Sequence, residues 1–132
     1  MGQTPPRVAL VVEEDAELRT MASALLAESA LDVITCESAE AALSVMQRRS
    51  DDVALVFAEV RLPGLIDGMD LARMVTVHWP DTKVIVTGDP GEPTDRLPDD
   101  IAYMEKPWRP LDVLMAAEQV LPRAAVPPTV AT

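Results

Sequence analysis

The sequence places acidic, hydroxyl and amino side chains at the ends of four short apolar runs. Glu13 and Glu14 follow the first run, Glu59 ends the third, Thr87 ends the fourth, and Lys106 follows the fifth. If these ends converge, three carboxylates would repel one another unless a divalent cation lies among them, one carboxyl group is protonated, or Lys106 compensates their charge. Mg²⁺ suits such a group because it prefers oxygen ligands and keeps several waters.

The acidic pair after the first run also has a simpler interpretation. Glu13 and Glu14 can be solvated acids at a helix N-terminus, where carboxylates complement the helix macrodipole. The polar groups at three other run ends favour a common site instead. That interpretation requires a fold that brings the ends together.

Five apolar runs alternate with segments of helical periodicity, and this order predicts an α/β fold. Val8–Val12 is a continuous apolar run bounded by charged residues, which is typical of a strand buried on both faces. A strand–helix alternation predicts a parallel sheet covered by helices on both faces, with its ligand site at the carboxyl ends of the strands. The predicted strands span residues 8–12, 32–37, 53–60, 83–87 and 101–104.

The segment between the fourth and fifth predicted strands departs from this alternation. Residues 89–100 contain Pro90, Pro93 and Pro98 and almost no apolar periodicity, so we expect at most one short turn of helix there. The sequence shows no internal linker. We predict a single domain over residues 7–121, an N-terminal extension over 1–6 and a flexible, Pro-containing tail over 122–132.

Composition and charge exclude several classes of function. The chain has 132 residues, with 11 Lys and Arg against 22 Asp and Glu and a formal net charge of -11. This balance argues against nucleic acid and anionic membranes as partners, because both attract clustered basic side chains. Cys36 is the only cysteine, which rules out an internal disulfide. The first residues lack the features of a secretory signal, so we expect a cytoplasmic protein.

Five short motifs occur in the order found in one known family. They are Val11-Val12-Glu13-Glu14, Leu55-Val56-Phe57-Ala58-Glu59-Val60-Arg61-Leu62-Pro63, Asp67-Gly68-Met69-Asp70-Leu71-Ala72, Val86-Thr87-Gly88 and Tyr103-Met104-Glu105-Lys106-Pro107-Trp108. The chain resembles the response-regulator receiver domain of two-component signalling over residues 7–121. The resemblance implies a flavodoxin-like, doubly wound (βα)5 fold with a five-stranded parallel sheet in the order 2-1-3-4-5. The proline-rich segment then leaves the fourth helix of that fold short or absent.

The resemblance also implies a role for each polar residue at the strand ends. Glu13 and Glu14 match the acidic pair that holds Mg²⁺, and the backbone carbonyl of Arg61 matches a further metal ligand. Thr87 matches the hydroxyl that binds a phosphoryl oxygen, and Tyr103 matches the aromatic switch that moves with it. Lys106 matches the lysine that pairs with the phosphoryl group, and its peptide bond to Pro107 is usually cis in the family. Glu59 occupies the phosphoacceptor position and completes the implied metal site.

Glu59 is the departure from the family, because the family's acceptor is an aspartate. The extra methylene carries the carboxylate about 1.5 Å further from the backbone, and a misplacement of about 1 Å can slow a reaction on the order of a hundredfold. The longer side chain can instead place negative charge near Thr87 and Lys106 and imitate the phosphorylated state. Glu14 is also one methylene longer than the commoner aspartate. The sequence therefore leaves open whether this crowded pocket binds Mg²⁺.

Three hypotheses about function follow from these residues. The first is a receiver domain, not an enzyme, that signals through protein contact without ordinary phosphorylation. Its partners would be a histidine kinase, a phosphotransfer protein or an effector, and a homodimer is also open. The second is a conventional, Mg²⁺-dependent phosphoryl-accepting receiver. The third is a Mg²⁺-dependent phosphohydrolase, which we rank low because Arg61 stands where such enzymes carry a second acid.

Overall fold

The computed structural model describes residues 5–121. The predicted tail over 122–132 and residues 1–4 of the predicted extension lie outside the described residues. The strands are β1 (Val8–Val12), β2 (Asp32–Cys36), β3 (Val53–Glu59), β4 (Lys83–Gly88) and β5 (Ala102–Glu105). The α-helices are α1 (Ala16–Ala27), α2 (Ala39–Arg49), α3 (Gly68–His78) and α4 (Pro110–Val120), and one turn of 3₁₀-helix (Ser50–Asp52) precedes β3.

The helices begin where the sequence supplies groups that satisfy free backbone N–H groups. Asp15 and Ser38 accept hydrogen bonds from the backbone of α1 and α2, and Asp67 and Asp70 form a reciprocal capping box at the start of α3. Pro110 opens α4, where its missing N–H costs no intrahelical bond. Each helix therefore begins directly after a strand end or a short loop.

The strands form one parallel sheet in the order β2-β1-β3-β4-β5. This confirms the predicted flavodoxin-like fold and its strand order. Every residue of β1 and β3 is buried, because both strands are central and have helices on both faces. One apolar cluster joins one face of the sheet to α2 and α3, and a second joins the other face to α1 and α4.

The connection between β4 and β5 contains turns and no helix, as expected from its three prolines. The fifth strand begins one residue later than predicted. The N–H of Ile101 donates to the carbonyl of Pro98 at 3.1 Å, which makes Ile101 part of the preceding turn. No helix within residues 5–121 is long and apolar enough to cross a membrane.

Candidate functional site

The sheet brings the carboxyl ends of four strands to one edge. Glu59 is the register partner of Thr87 at the ends of β3 and β4. Glu13 directly follows β1, which pairs with β3. The N–H of Lys106 donates to the carbonyl of Gly88 at 2.8 Å, which holds the residue after β5 beside β4.

Lys106 joins two buried carboxylates at the centre of this edge. Its Nζ lies 3.3 Å from Oε1 of Glu13 and also forms an ion pair with Oε2 of Glu59. The side chains of Lys106, Glu13 and Glu59 are 16%, 6% and 9% exposed. The side chain of Glu14 is exposed at the surface. The structure therefore brings together two of the three carboxylates expected here, with the lysine between them.

Burial and charge act in opposite directions on this group. Burial raises the pKa of Glu59, and the hydrogen bond and positive charge of Lys106 offset only part of that effect. Burial lowers the pKa of Lys106, but the hydrogen bond to Glu59 and the attraction of Glu59 and Glu13 outweigh it, so that this pKa stands above its ordinary value. The ammonium form of Lys106 is therefore the favoured one at neutral pH.

The carboxylates are arranged around the ammonium and do not fit a magnesium ion in this conformation. Oε2 of Glu13 accepts from the N–H of Asp15 at 3.1 Å, and Oε1 of Glu59 accepts from the N–H of Arg61 at 3.3 Å. Because Lys106 takes the other oxygen of each carboxylate, all four have partners. Within residues 5–121, no three His, Cys, Asp or Glu side chains lie together as a metal-holding group.

Thr87 and Tyr103 lie on the β4 side of this group. The Thr87 side chain is buried, and its hydroxyl makes no hydrogen bond within the described part of the chain. The Tyr103 hydroxyl donates to the carbonyl of Asp89 at 3.2 Å. A Cβ added to Gly88 would lie 2.5 Å from that hydroxyl. Glycine at this position therefore leaves the space that the Tyr103 hydroxyl occupies.

Aromatic side chains pack beside Lys106. Trp108 meets Phe57 edge to face with ring centroids 5.2 Å apart, and the Lys106 ammonium lies 6.0 Å from the centroid of the Trp108 ring. The Lys106–Pro107 peptide bond is cis, as the resemblance implies.

Three ion pairs near the site were not anticipated from the sequence. Arg61 pairs with Glu92 at 2.9 Å, and Arg96 pairs with Asp67 at 3.5 Å and with Asp70 at 3.2 Å. The partners are about thirty positions apart and lie in loops or at a helix start. No periodicity or short motif could have indicated them.

A parallel α/β sheet with paired acids, a hydroxyl and a lysine at its carboxyl edge defines a class of signalling domain. The sequence model of the response regulator receiver domain matches residues 9–97. The chain belongs to the receiver domains of two-component response regulators. Such domains are signalling modules, and they typically bind Mg²⁺ at the phosphorylation site.

Two curated relatives are longer than this chain. The transcriptional regulatory protein AruR of Pseudomonas aeruginosa is 34% identical over 127 residues, which cover 89% of this chain and 50% of the relative. The two-component response regulator ARR14 of Arabidopsis thaliana is 27% identical over 121 residues, which cover 89% of this chain and 31% of the relative. The chain thus spans half or less of the length of these relatives.

Solved receiver structures share the fold. The receiver domain of NtrX from Brucella abortus superposes with a TM-score of 0.74 at 23% identity, covering 86% of this chain and 97% of that one. The signal receiver domain of an HD domain-containing protein from Pseudomonas fluorescens Pf-5 gives 0.75 at 24% identity, covering 89% and 94%. The four helices described here match that fold.

Proposed function

We propose that this receiver domain signals through protein contact without accepting a phosphoryl group at residue 59. The observation that carries the proposal is the ion pair of Lys106 with both Glu59 and Glu13. The lysine that would pair with an incoming phosphoryl group is already neutralised by the longer carboxylate. Glu59 places a permanent negative charge beside Thr87, where the family acquires one by phosphorylation.

The same contacts argue against efficient in-line attack by Glu59. A nucleophilic carboxylate needs a free oxygen aimed at phosphorus, with cations on the phosphoryl oxygens. Here Lys106 and the N–H of Arg61 engage the two oxygens of Glu59. A magnesium ion would have to displace Lys106 from both carboxylates before it could bind between them, so we propose that Mg²⁺ binding is weak.

The rest of the proposal concerns the setting of the domain. We propose residues 7–121 as the receiver unit, acting in the cytoplasm. Response regulators interact with kinases and effectors. For this chain we propose a histidine kinase, a phosphotransfer protein or an effector as the partner, with no nucleic acid or membrane bound by this domain because its charge has the wrong sign. Self-association into a homodimer is an alternative form of this protein contact.

The test is phosphorylation by acetyl phosphate with Mg²⁺, followed by intact-mass measurement. We expect no phosphoryl mass gain in the natural chain. The matched control is Glu59→Asp, which shortens the side chain by one methylene and frees it from Lys106. In that variant we expect labelling, in which an aspartate oxygen attacks phosphorus, an acyl phosphate bond forms and acetate leaves. Efficient labelling of Glu59 in the natural chain would refute the proposal and support the conventional receiver.

A phosphohydrolase remains the third candidate, and it has a separate test. Arg61 occupies the position two residues after Glu59, so the chain lacks a second acid there to protonate a leaving group. We expect no turnover of p-nitrophenyl phosphate with Mg²⁺ by either the natural chain or Glu59→Asp. Multiple turnovers by the natural chain that disappear in Glu59→Gln would establish that the domain is a phosphohydrolase.

A further inference from the structure

We propose that residues 89–97, called the strap below, are clasped by ion pairs to the β3–α3 loop and that this clasp holds Tyr103 in place. The strap stands where the fold would otherwise carry a helix between β4 and β5. The proposal goes beyond signalling without phosphorylation, and it does not depend on the chemistry of residue 59. It assigns a conformational function to the three ion pairs by which Arg61–Glu92 and Arg96 link the two segments.

The first half of the clasp is the pair between Arg61 and Glu92. Arg61 Nη2 lies 2.9 Å from Oε2 of Glu92. The Glu92 side chain is only 7% exposed, whereas that of Arg61 is 77% exposed. A buried carboxylate needs a charged or hydrogen-bonding partner, because desolvation without one is costly. Glu92 is therefore held at the loop by Arg61, and loss of this partner would leave its carboxylate uncompensated.

The second half joins the strap to the start of α3. Nη1 of Arg96 lies 3.5 Å from Oδ2 of Asp67, and its Nη2 lies 3.2 Å from Oδ1 of Asp70. These two aspartates form the capping box of α3, so their positions are fixed by the helix. Arg96 thus ties the far end of the strap to a rigid element. With Arg61 at the near end, the strap is fixed at two points.

The strap has few internal bonds that would fix it otherwise. Its backbone hydrogen bonds are those of isolated turns, from Glu92 to Asp89 at 3.2 Å and from Leu97 to Thr94 at 3.1 Å. A helix of similar length would hold itself by successive i to i−4 bonds. The position of this segment therefore depends on the clasp and on the packing of Leu97 against the sheet.

Tyr103 and the acidic site are linked to opposite ends of the clasp. The Tyr103 hydroxyl donates to Asp89, the first residue of the strap. The N–H of Arg61 donates to Glu59. A shift of the strap would remove the hydroxyl's acceptor, and a shift of Arg61 would disturb both Glu92 and the carboxylate at position 59. The clasp is a route by which a partner that binds Arg61 or Glu92 could release Tyr103.

The test uses the fact that Tyr103 is the only tyrosine of the chain. Incorporation of 3-fluorotyrosine gives a single ¹⁹F resonance from this position. The variants are Glu92→Gln, Arg96→Gln and their combination, and the matched control is Arg109→Gln, which breaks an exposed pair with Asp112 on α4. Amide hydrogen exchange over 89–97 is measured on the same proteins, with circular dichroism to establish that each is folded.

We expect the combined variant to shift or broaden the ¹⁹F signal and to speed exchange in the strap roughly tenfold, since the three ion pairs of the clasp are lost. Each single variant should give a smaller effect, and Arg109→Gln none. An unchanged ¹⁹F signal with unchanged strap exchange in the folded combined variant would overturn the clasp. A phosphorylated Glu59 would refute the proposed function and leave this result untouched, so the two failures are distinguishable.

Discussion

At the scale of single residues, the site is governed by one ammonium between two carboxylates. Glu13, Glu59 and Lys106 sum to a single negative charge in a largely buried space. A buried ion pair adds little to stability relative to apolar residues, but removing one partner leaves an uncompensated charge that is costly. The main contribution of Lys106 to stability is therefore that it prevents two buried carboxylates from being left without a cation. Its net attraction for them contributes less.

Replacing Lys106 should destabilise the domain more than any ordinary surface change. Lys106→Met leaves Glu13 and Glu59 facing each other without a cation, and we expect a loss of about 3 kcal/mol in the free energy of unfolding at neutral pH. Urea denaturation followed by circular dichroism measures it. The double variant Lys106→Met with Glu59→Gln should recover part of the loss, because it removes one of the two charges.

The only other lysine provides the matched control for this substitution. Lys83 begins β4 and is half-buried, outside the acidic group. Lys83→Met should change the free energy of unfolding by less than about 0.5 kcal/mol. Equal losses in the two lysine variants would show that the effect comes from the loss of a long side chain and not from the two carboxylates.

At the scale of elements, the turn from β3 into α3 fixes the backbone on which Glu59 stands. A Cβ added to Gly68 would lie 1.9 Å from the backbone carbonyl oxygen of Glu59, and backbone atoms cannot move aside as a side chain can. Gly68→Ala should therefore cost about 1–3 kcal/mol of unfolding free energy. The comparison is Gly88→Ala, whose new Cβ meets side-chain atoms of Tyr103 and Val60 and no backbone atom among its nearest contacts, and which should cost less while moving the ¹⁹F signal. The reverse order of stability would contradict this account of the turn.

The start of α3 should also carry a pH signature. The N–H of Asp67 donates to Asp70 and lowers its pKa below the ordinary value of 3.8, helped by Arg73 and Arg96. Because the folded pKa lies below the unfolded one, this stabilisation is complete above about pH 4 and disappears as pH falls through the folded pKa. Acid titration of the unfolding free energy should show a shallower loss below pH 3.8 in Asp70→Asn than in the natural chain. Identical slopes would remove Asp70 from the acid response.

At the scale of the whole molecule, the hydrophobic patterns of the strands and helices predicted the fold. No such pattern predicted the contacts between loops. A short apolar run such as Val8–Val12, rich in valine and bounded by charged residues, favours a strand buried on both faces, and its alternation with helices predicts a parallel sheet. The meeting of Glu59, Thr87 and Lys106 followed from this topology. The fold class and the missing helix were accessible from the sequence pattern, and the strand order came from the resemblance to the receiver family.

The features that the sequence did not indicate depend on side-chain direction rather than on topology. Glu13 and Glu14 are adjacent in sequence, yet one points into the site and the other into solvent. The Arg61–Glu92 contact joins two loops whose paths depend on the absent helix. Neither feature has a periodicity that sequence reasoning could use, because loop conformation is set by a few specific contacts.

The net charge of -11 predicts how the whole domain responds to salt. Raising NaCl from about 0.01 M to about 0.15 M shortens the Debye length from about 30 Å to about 8 Å, so repulsion among the excess acidic groups weakens and Tm should rise by roughly 3–6 °C. If the ammonium of Lys106 already satisfies Glu13 and Glu59, MgCl₂ at equal ionic strength should give the same Tm as NaCl. Glu59→Asp, which releases Lys106, should show an additional rise with MgCl₂. An additional rise in the natural chain that disappears in Glu59→Gln would instead place a specific magnesium site at residue 59.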